Sequence, residues 1–307
     1  MTVPPLRRAL SAALPSVASP RVSRHARFFE RLRAALYRPT AAAAGDGVAE
    51  AEAALDPLAI RQRLYGRGYI IPGDAAWLLE LVAPLRLTAS SALLDLAAGL
   101  GGPARTIAQA LHSRVTGLEG DHAMAQQANA VSAALGAGHL VQIKPCNPET
   151  LELDEAQFDG ALGREASYAV AEKERFLRVV AQSLRAGPIV LTDFVLDRAA
   201  GERDELGAWR AGLARPVALW TASQYADCFK SLGFALSRAE DISALYRRQL
   251  IAGWVRYLRT GDISGRPAAQ IDAVLAEAEA CRRTVAALES GALKYYRLEA
   301  VARSSSR

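Results

Sequence analysis

Short apolar runs alternate with amphipathic stretches along most of this chain. Leu93-Leu94-Asp95 is an apolar run ending in an acid, and Val115-Thr116-Gly117-Leu118 is another, ending at Glu119. His139–Lys144, Phe158–Leu162, Ile189–Val195, Gly233–Arg238 and Leu293–Ala302 read as further strands. Ile189–Val195 is rich in β-branched and apolar residues, as a buried parallel strand should be. Helices are expected between them. Pro103 opens one, at a position where a missing N–H costs nothing. Asp121 can cap the next, over Asp121–Leu135, with Met124, Ala128, Val131 and Leu135 on one stripe. Glu172–Leu184 carries Phe176, Val180 and Leu184 on one face, and Gly187 and Pro188 end it. Ser223–Leu232 is another. Such alternation predicts a doubly wound, mostly parallel α/β sheet with helices on both faces.

The pattern changes before the last strand. Ser243 can cap a helix with Tyr246, Leu250 and Trp254 at four-residue spacing. Pro267 opens a second helix, with Ile271, Val274, Leu275, Ala278, Val285 and Leu288 at helical spacing. This helical insertion, about 242–291, can roof the carboxyl ends of the strands, where open α/β sheets bind ligands, or simply pack on a sheet edge. The N-terminal part has another character. Residues 1–55 read as a basic, Ala/Arg-rich extension with a linker at Ala41–Gly47, and 56–307 as the folded domain, starting near Asp56. The extension resembles a basic tail or a transit segment. No apolar stretch follows its arginines, so a secretory signal is not indicated.

The richest chemistry lies in Asp95-Leu96-Ala97-Ala98-Gly99-Leu100-Gly101-Gly102-Pro103. An acid, a small-residue turn and a helix start follow one another directly, and Glu119 closes the next strand. Small residues let backbone approach a ligand, the helix start offers free N–H groups, and Glu119 can accept from ribose hydroxyls. This is a nucleotide-type site. Asp95 would repel a phosphate beside the turn, and it suits a cationic ligand such as S-adenosylmethionine. A nicotinamide-dependent enzyme using the same turn stays open, as does a non-catalytic or regulatory protein on the same fold.

Composition sets bounds. A chain of 307 residues can bury one large core or two modest ones. No apolar run reaches the length of a membrane span. Three cysteines, widely separated, make neither a disulfide framework nor a zinc pattern, and the histidines lack metal-ligand spacing. A reducing cytoplasm, no metal, no membrane and no nucleic-acid partner are therefore expected. The formal charge of +5 is arginine-dominated and has no aromatic-interleaved basic motif beside it. Oligomeric state is not legible.

The turn resembles the glycine-rich first motif of class I S-adenosylmethionine-dependent methyltransferases of the small-molecule type, whose fold is Rossmann-like. Phe158-Asp159, Arg185-Ala186-Gly187-Pro188 and Leu191-Thr192-Asp193-Phe194 resemble further landmarks of that family. Tyr65–Gly73 is similar to a segment of phosphoethanolamine N-methyltransferases, and Gly163-Arg164-Glu165-Ala166 to their motif after the fourth strand. Sarcosine/dimethylglycine methyltransferases are similar over the same span. The resemblance implies S-adenosylmethionine as cofactor, bound by Asp95, Ala97, Gly99, Gly101, Glu119 and Gly163, with Asn147 near the adenine. It implies that Tyr69 and Arg164 face cofactor and substrate, Arg164 holding a small amine-bearing or acidic acceptor. Ala97 and Asn147 depart from the family's glycine and acid. Ala169 and Phe194 stand where phosphobase enzymes carry histidine and tyrosine, so a site without a strong general base is expected.

Overall fold

The computed structural model describes residues 23–36, 56–201, 203–260 and 267–303. Its strands are β1 (Ala92–Asp95), β2 (Arg114–Glu119), β3 (Val141–Pro145), β4 (Gly160–Arg164), β5 (Ile189–Leu196), β6 (Phe234–Asp241) and β7 (Leu293–Ala302). They form one sheet in the order β3-β2-β1-β4-β5-β7-β6. β1 to β5 pair in parallel, and β7 runs antiparallel to both β5 and β6. This is the doubly wound, mostly parallel Rossmann-like arrangement expected from the alternation. The strand order reverses between β1 and β4, so their carboxyl ends diverge and leave a crevice there.

Period-two side-chain alternation splits the interior into two cores. In β5, Val190 and Phe194 join one, while Ile189, Leu191 and Val195 join the other. Helices α1 (Arg24–Leu36), α2 (Pro57–Tyr65), α3 (Ala75–Val82), α4 (Gly102–Leu111) and α5 (His122–Ala134) cover the first side. Helices α6 (Lys173–Gln182) and α8 (Ala222–Ser231) cover the second. The insertion forms α9 (Ser243–Thr260) and α10 (Ala268–Ser290), with α7 (Asp204–Ala211) packed on α10.

Several boundaries differ from the pattern reading. β4 begins at Gly160, not Phe158, because Asp159 turns its carboxylate to the Ala92 N–H, 2.8 Å away, and Phe158 pairs only with Leu184. α5 buries Ala125, Ala128 and Ser132, whereas Leu135 is exposed. Its true face is the small-residue one, because α4 lies close: Arg105 donates to the Ala128 carbonyl and Ser132 Oγ. Helices α2, α3 and α7 were not distinguished by the pattern. Ahead of Asp56, α1 packs on α10 with Phe29 and Leu32 buried, so the folded part reaches into the expected extension. The Ala41–Gly47 linker and the basic stretch up to residue 22 lie outside the described residues. No described helix is long and apolar enough to cross a membrane. Among the described residues no cluster of three metal-ligating side chains occurs.

Candidate active site

The crevice between β1 and β4 opens into a cleft bordered by Asp95, Ala97, Gly99, Glu119 and Arg164. The turn after β1 needs left-handed backbone at Gly99, with φ +54°, and Ile70 lies directly over the place a Cβ would occupy. Ala97 is not in that region, so its methyl is accommodated. Glu119 closes the turn from the side. Its Oε2 accepts from the Gly99 N–H at 2.9 Å and its Oε1 from the Asp121 N–H at 2.8 Å. A carboxylate has further lone pairs, which leaves Glu119 free to accept from a ligand's hydroxyls.

Two opposite charges in this cleft are incompletely paired. Asp95 Oδ1 accepts a 3.3 Å bond from the Ala97 N–H, but buried Oδ2 has no partner. Arg164 donates from Nη2 to the Pro72 carbonyl and stacks over Trp77, 5.3 Å from the ring centre, while buried Nε and Nη1 have no partner. Each such orphan costs about 1–3 kcal/mol. Burial, helped by the Glu119 charge and opposed by the Ala97 N–H and Arg164, pushes the Asp95 carboxyl up to about 6. The donor set fits a ligand that brings an ammonium and a carboxylate together, with vicinal hydroxyls at Glu119.

A second cavity of about 150 Å³ adjoins the cleft, and both are bordered by Arg61, Ile70, Ile71, Glu165 and Tyr168. An engineered cavity of about that volume holds benzene, which sets the scale of a ligand's reacting part. Its far wall is aromatic, from Phe194, Trp209, Tyr246 and Tyr65. Phe194 is the hub, with ring centres of Tyr168, Trp209, Tyr246 and Tyr295 between 5.1 and 5.5 Å away. Helices α9 and α10 do wall this cavity, through Tyr246, Leu250, Glu277 and Cys281. Glu277 is held by Arg61 Nε at 2.9 Å. Glu165 stands at the mouth with φ +56°, and its Oε1 accepts from the Tyr246 hydroxyl at 2.9 Å. Burial pushes its carboxyl up to about 7, with the Asp193 charge adding to the rise and Tyr246, Arg164 and Arg61 opposing it.

The site residues read from sequence divide into two groups. Asp95, Ala97, Gly99, Glu119 and Arg164 meet in the cleft. Gly101, Gly163, Asn147 and Tyr69 border neither cavity. Gly101 caps α4, with Arg105 and Ala128 behind it. Gly163 sits inside β4, packed against Leu191, Ala166 and Leu96. Exposed Asn147 spends its Oδ1 on the Glu149 N–H. Tyr69 turns to α4, its hydroxyl 2.7 Å from Thr106 Oγ1 and its ring over Gly102. Arg164 borders the cleft but not the aromatic cavity. Trp254 is core, in edge-to-face contact with Phe29 and Tyr257. Glu165 is the carboxylate that borders both cavities, and Arg61, Trp209 and Glu277 went unread. A weak signal existed for Arg61: the Asp56-Pro57 start of α2.

Residues 94–192 match the family described as a methyltransferase domain. An O-methyltransferase of Pyrenophora dematioidea is 26% identical over 165 residues, covering 53% of this chain and 61% of the relative. Methyltransferase phqN of Penicillium fellutanum is 29% identical over 163 residues, covering 50% of this chain and 48% of that protein. The chain thus spans roughly half to three-fifths of the curated relatives it matches. Phosphoethanolamine N-methyltransferase 2 of Haemonchus contortus, solved with phosphomonomethylethanolamine and S-adenosylhomocysteine, superposes with a TM-score of 0.72. It is 15% identical, covering 80% of this chain and 57% of that one, a likeness of fold.

Proposed function

We propose that this chain, whose residues 94–192 match a methyltransferase domain, transfers the methyl group of S-adenosylmethionine to a small acceptor, best matched by an amine. One observation carries the reading: the cofactor-type cleft and the aromatic cavity meet along a border that includes Glu165. S-adenosylmethionine, when bound, supplies an electrophilic methyl on a sulfonium. Asp95 suits its ammonium, Arg164 its carboxylate through Nε and Nη1, and Glu119 its ribose hydroxyls. The rings of Tyr168, Phe194 and Tyr246 hold cationic groups by their faces and, with Ile70 and Ile71, exclude water. Positioning of two reactants across a shared border supplies much of the rate.

An amine attacks only when unprotonated, since a protonated nitrogen has no lone pair. Glu165, at the border, is the group that can take that proton. The acceptor's proton leaves to Glu165 and, after transfer, exits through the cavity mouth. The free thiols of Cys146, Cys228 and Cys281 suit a reducing compartment, and the cytoplasm is the localisation we propose.

Glu119→Ala is expected to weaken S-adenosylmethionine binding by about 1–3 kcal/mol, because two ribose hydroxyls lose an acceptor. Calorimetric titration reads this directly, and unchanged affinity would remove Glu119 from the site. Incubating the protein with labelled cofactor and a panel of small alkylamines tests the reaction. Release of S-adenosylhomocysteine only when acceptor is present supports transfer. Binding without turnover across the panel would favour the non-catalytic alternative.

A further inference from the structure

The loop after β4 carries two of the side chains that stand on the border of both cavities, Glu165 and Tyr168. Its backbone is not relaxed, since Glu165 is a non-glycine residue in the left-handed region. Such a conformation persists only where surrounding bonds over-determine it. They lie on the far side of the sheet from the cavity. Asp193 precedes Phe194 in β5, and the two-residue period sends Phe194 to the aromatic wall and Asp193 to the opposite face.

There Asp193 Oδ2 accepts from both the N–H and the hydroxyl of Ser167, at 2.8 and 2.6 Å. The Tyr225 hydroxyl, 2.7 Å from Ser167 Oγ, donates to it. Lys173 Nζ donates to the Ser167 and Val170 carbonyls. The Glu165 N–H adds a 2.7 Å bond to the Thr192 carbonyl. Asp193, Ser167 and Tyr225 are fully buried and Lys173 nearly so, and none of the four borders either cavity. Four polar groups, two of them charged, sit in a place where an apolar filling would be cheaper. Every polar atom of the chain Tyr225 → Ser167 → Asp193 is nonetheless matched.

We propose that Asp193, Lys173 and Tyr225 are positioning residues, which clamp Ser167 and thereby hold Glu165 and Tyr168 at the border between cofactor cleft and acceptor cavity. The proposal rests on the reading of Glu165 as proton acceptor. Asp193 also acts at a distance, since its charge raises the Glu165 carboxyl. The other groups around Glu165 are Arg61 of α2, Arg164 of β4, Tyr246 of α9, Tyr295 of β7, Tyr168 of its own loop, and Glu277 of α10 across the cavity.

The test uses the full chain. Tyr225→Phe should lower kcat about 2- to 12-fold, the effect of one ordinary hydrogen bond, and Ser167→Ala, which removes two, should lower it further, with cofactor affinity unchanged in both. Their pH limb should stay in place, and Ser167→Thr, which keeps a hydroxyl, should recover most of the loss. Asp193→Asn should instead move the limb to lower pH, because a charge that raised Glu165 is gone. Should that variant fail to fold, Lys173→Met/Asp193→Asn removes both buried charges and gives the same readout. A limb that stays put in Asp193→Asn, or a full rate in both hydroxyl variants, would overturn the clamp. Full turnover in Glu165→Gln would overturn the reading of Glu165 instead. The clamp is then judged by hydrogen exchange at the amides of 165–170, which Ser167→Ala should accelerate. Unchanged protection there would sink it.

Discussion

Glu165→Gln is expected to lower kcat by about 100- to 10,000-fold, the usual contribution of a positioned base, while cofactor binding stays close to that of the parent. Glutamine preserves the shape and can still accept from the Tyr246 hydroxyl, whose oxygen lies 2.9 Å from Glu165 Oε1. It cannot take a proton. The pH dependence sharpens the test. With its carboxyl pushed up to about 7, chiefly by burial, Glu165 is largely protonated at pH 6 and largely ionised at pH 8. A base works in its ionised form, so kcat should rise through that window and level off above it, and the limb should vanish in the glutamine variant. Tyr246→Phe removes a hydrogen bond that favours the carboxylate, so the limb should move to higher pH. The same shift has a stability consequence. The folded chain keeps the Glu165 proton that the unfolded chain releases near the ordinary glutamate range. Stability from this group is thus fully present below about pH 4 and declines as pH rises through about 7. A pH–rate profile identical in parent and Glu165→Gln would exclude the base.

The strands and the turn after β1 were legible because their rules are local. A two-residue period, an acid at a strand end and a proline at a helix start each carry their meaning within a few positions. β7 was read at its true limits, Leu293–Ala302. What failed was orientation. Tyr69 and Ile70 are neighbours, and no local rule says which faces the ligand. The contact of their segment with α4 decides it, and that contact sends Tyr69 to Thr106 and Ile70 over Gly99. The stripe on α5 was rotated for the same reason, since Arg105 of α4 sets which small residues lie inward. Trp209 was invisible because α7 is short, has Gly207 in its middle, and gains its role only by packing on α10. Glu165 stood inside a quoted motif. Singling it out from the other titratable groups near the site needed two facts absent from the letters: its left-handed backbone and the arrival of Tyr246 from 81 residues further along.

That same contact between segments yields the second large effect. The stretch Tyr65–Gly73 crosses the start of α4 as a strap, fastened by the Gly102 N–H to the Gly68 carbonyl at 3.1 Å. Gly68→Ala is expected to cost about 2–5 kcal/mol in folding stability or cofactor affinity, combining left-handed strain with overpacking. The backbone at Gly68 has φ +80°, and an added Cβ would stand 2.9 Å from Gly102 Cα and 2.4 Å from Arg105 Nη2. The guanidinium can swing away, but the Gly102 backbone cannot without moving the helix start. The strap must therefore lift. Lifting it carries Ile70 off Gly99 and removes the Pro72 carbonyl from Arg164, loosening both ends of the cleft at once. Gly66→Ala is the control. It shares left-handed backbone, with φ +115°, but a Cβ there meets only Tyr69 at 3.8 Å, so strain without collision is what it adds. Calorimetric titration and thermal melts on both variants separate the terms. Gly66→Ala should lose stability with little change in cofactor affinity, whereas Gly68→Ala should lose affinity as well. Equal affinities in the two would mean that the strap merely lies over the cleft and takes no part in forming it.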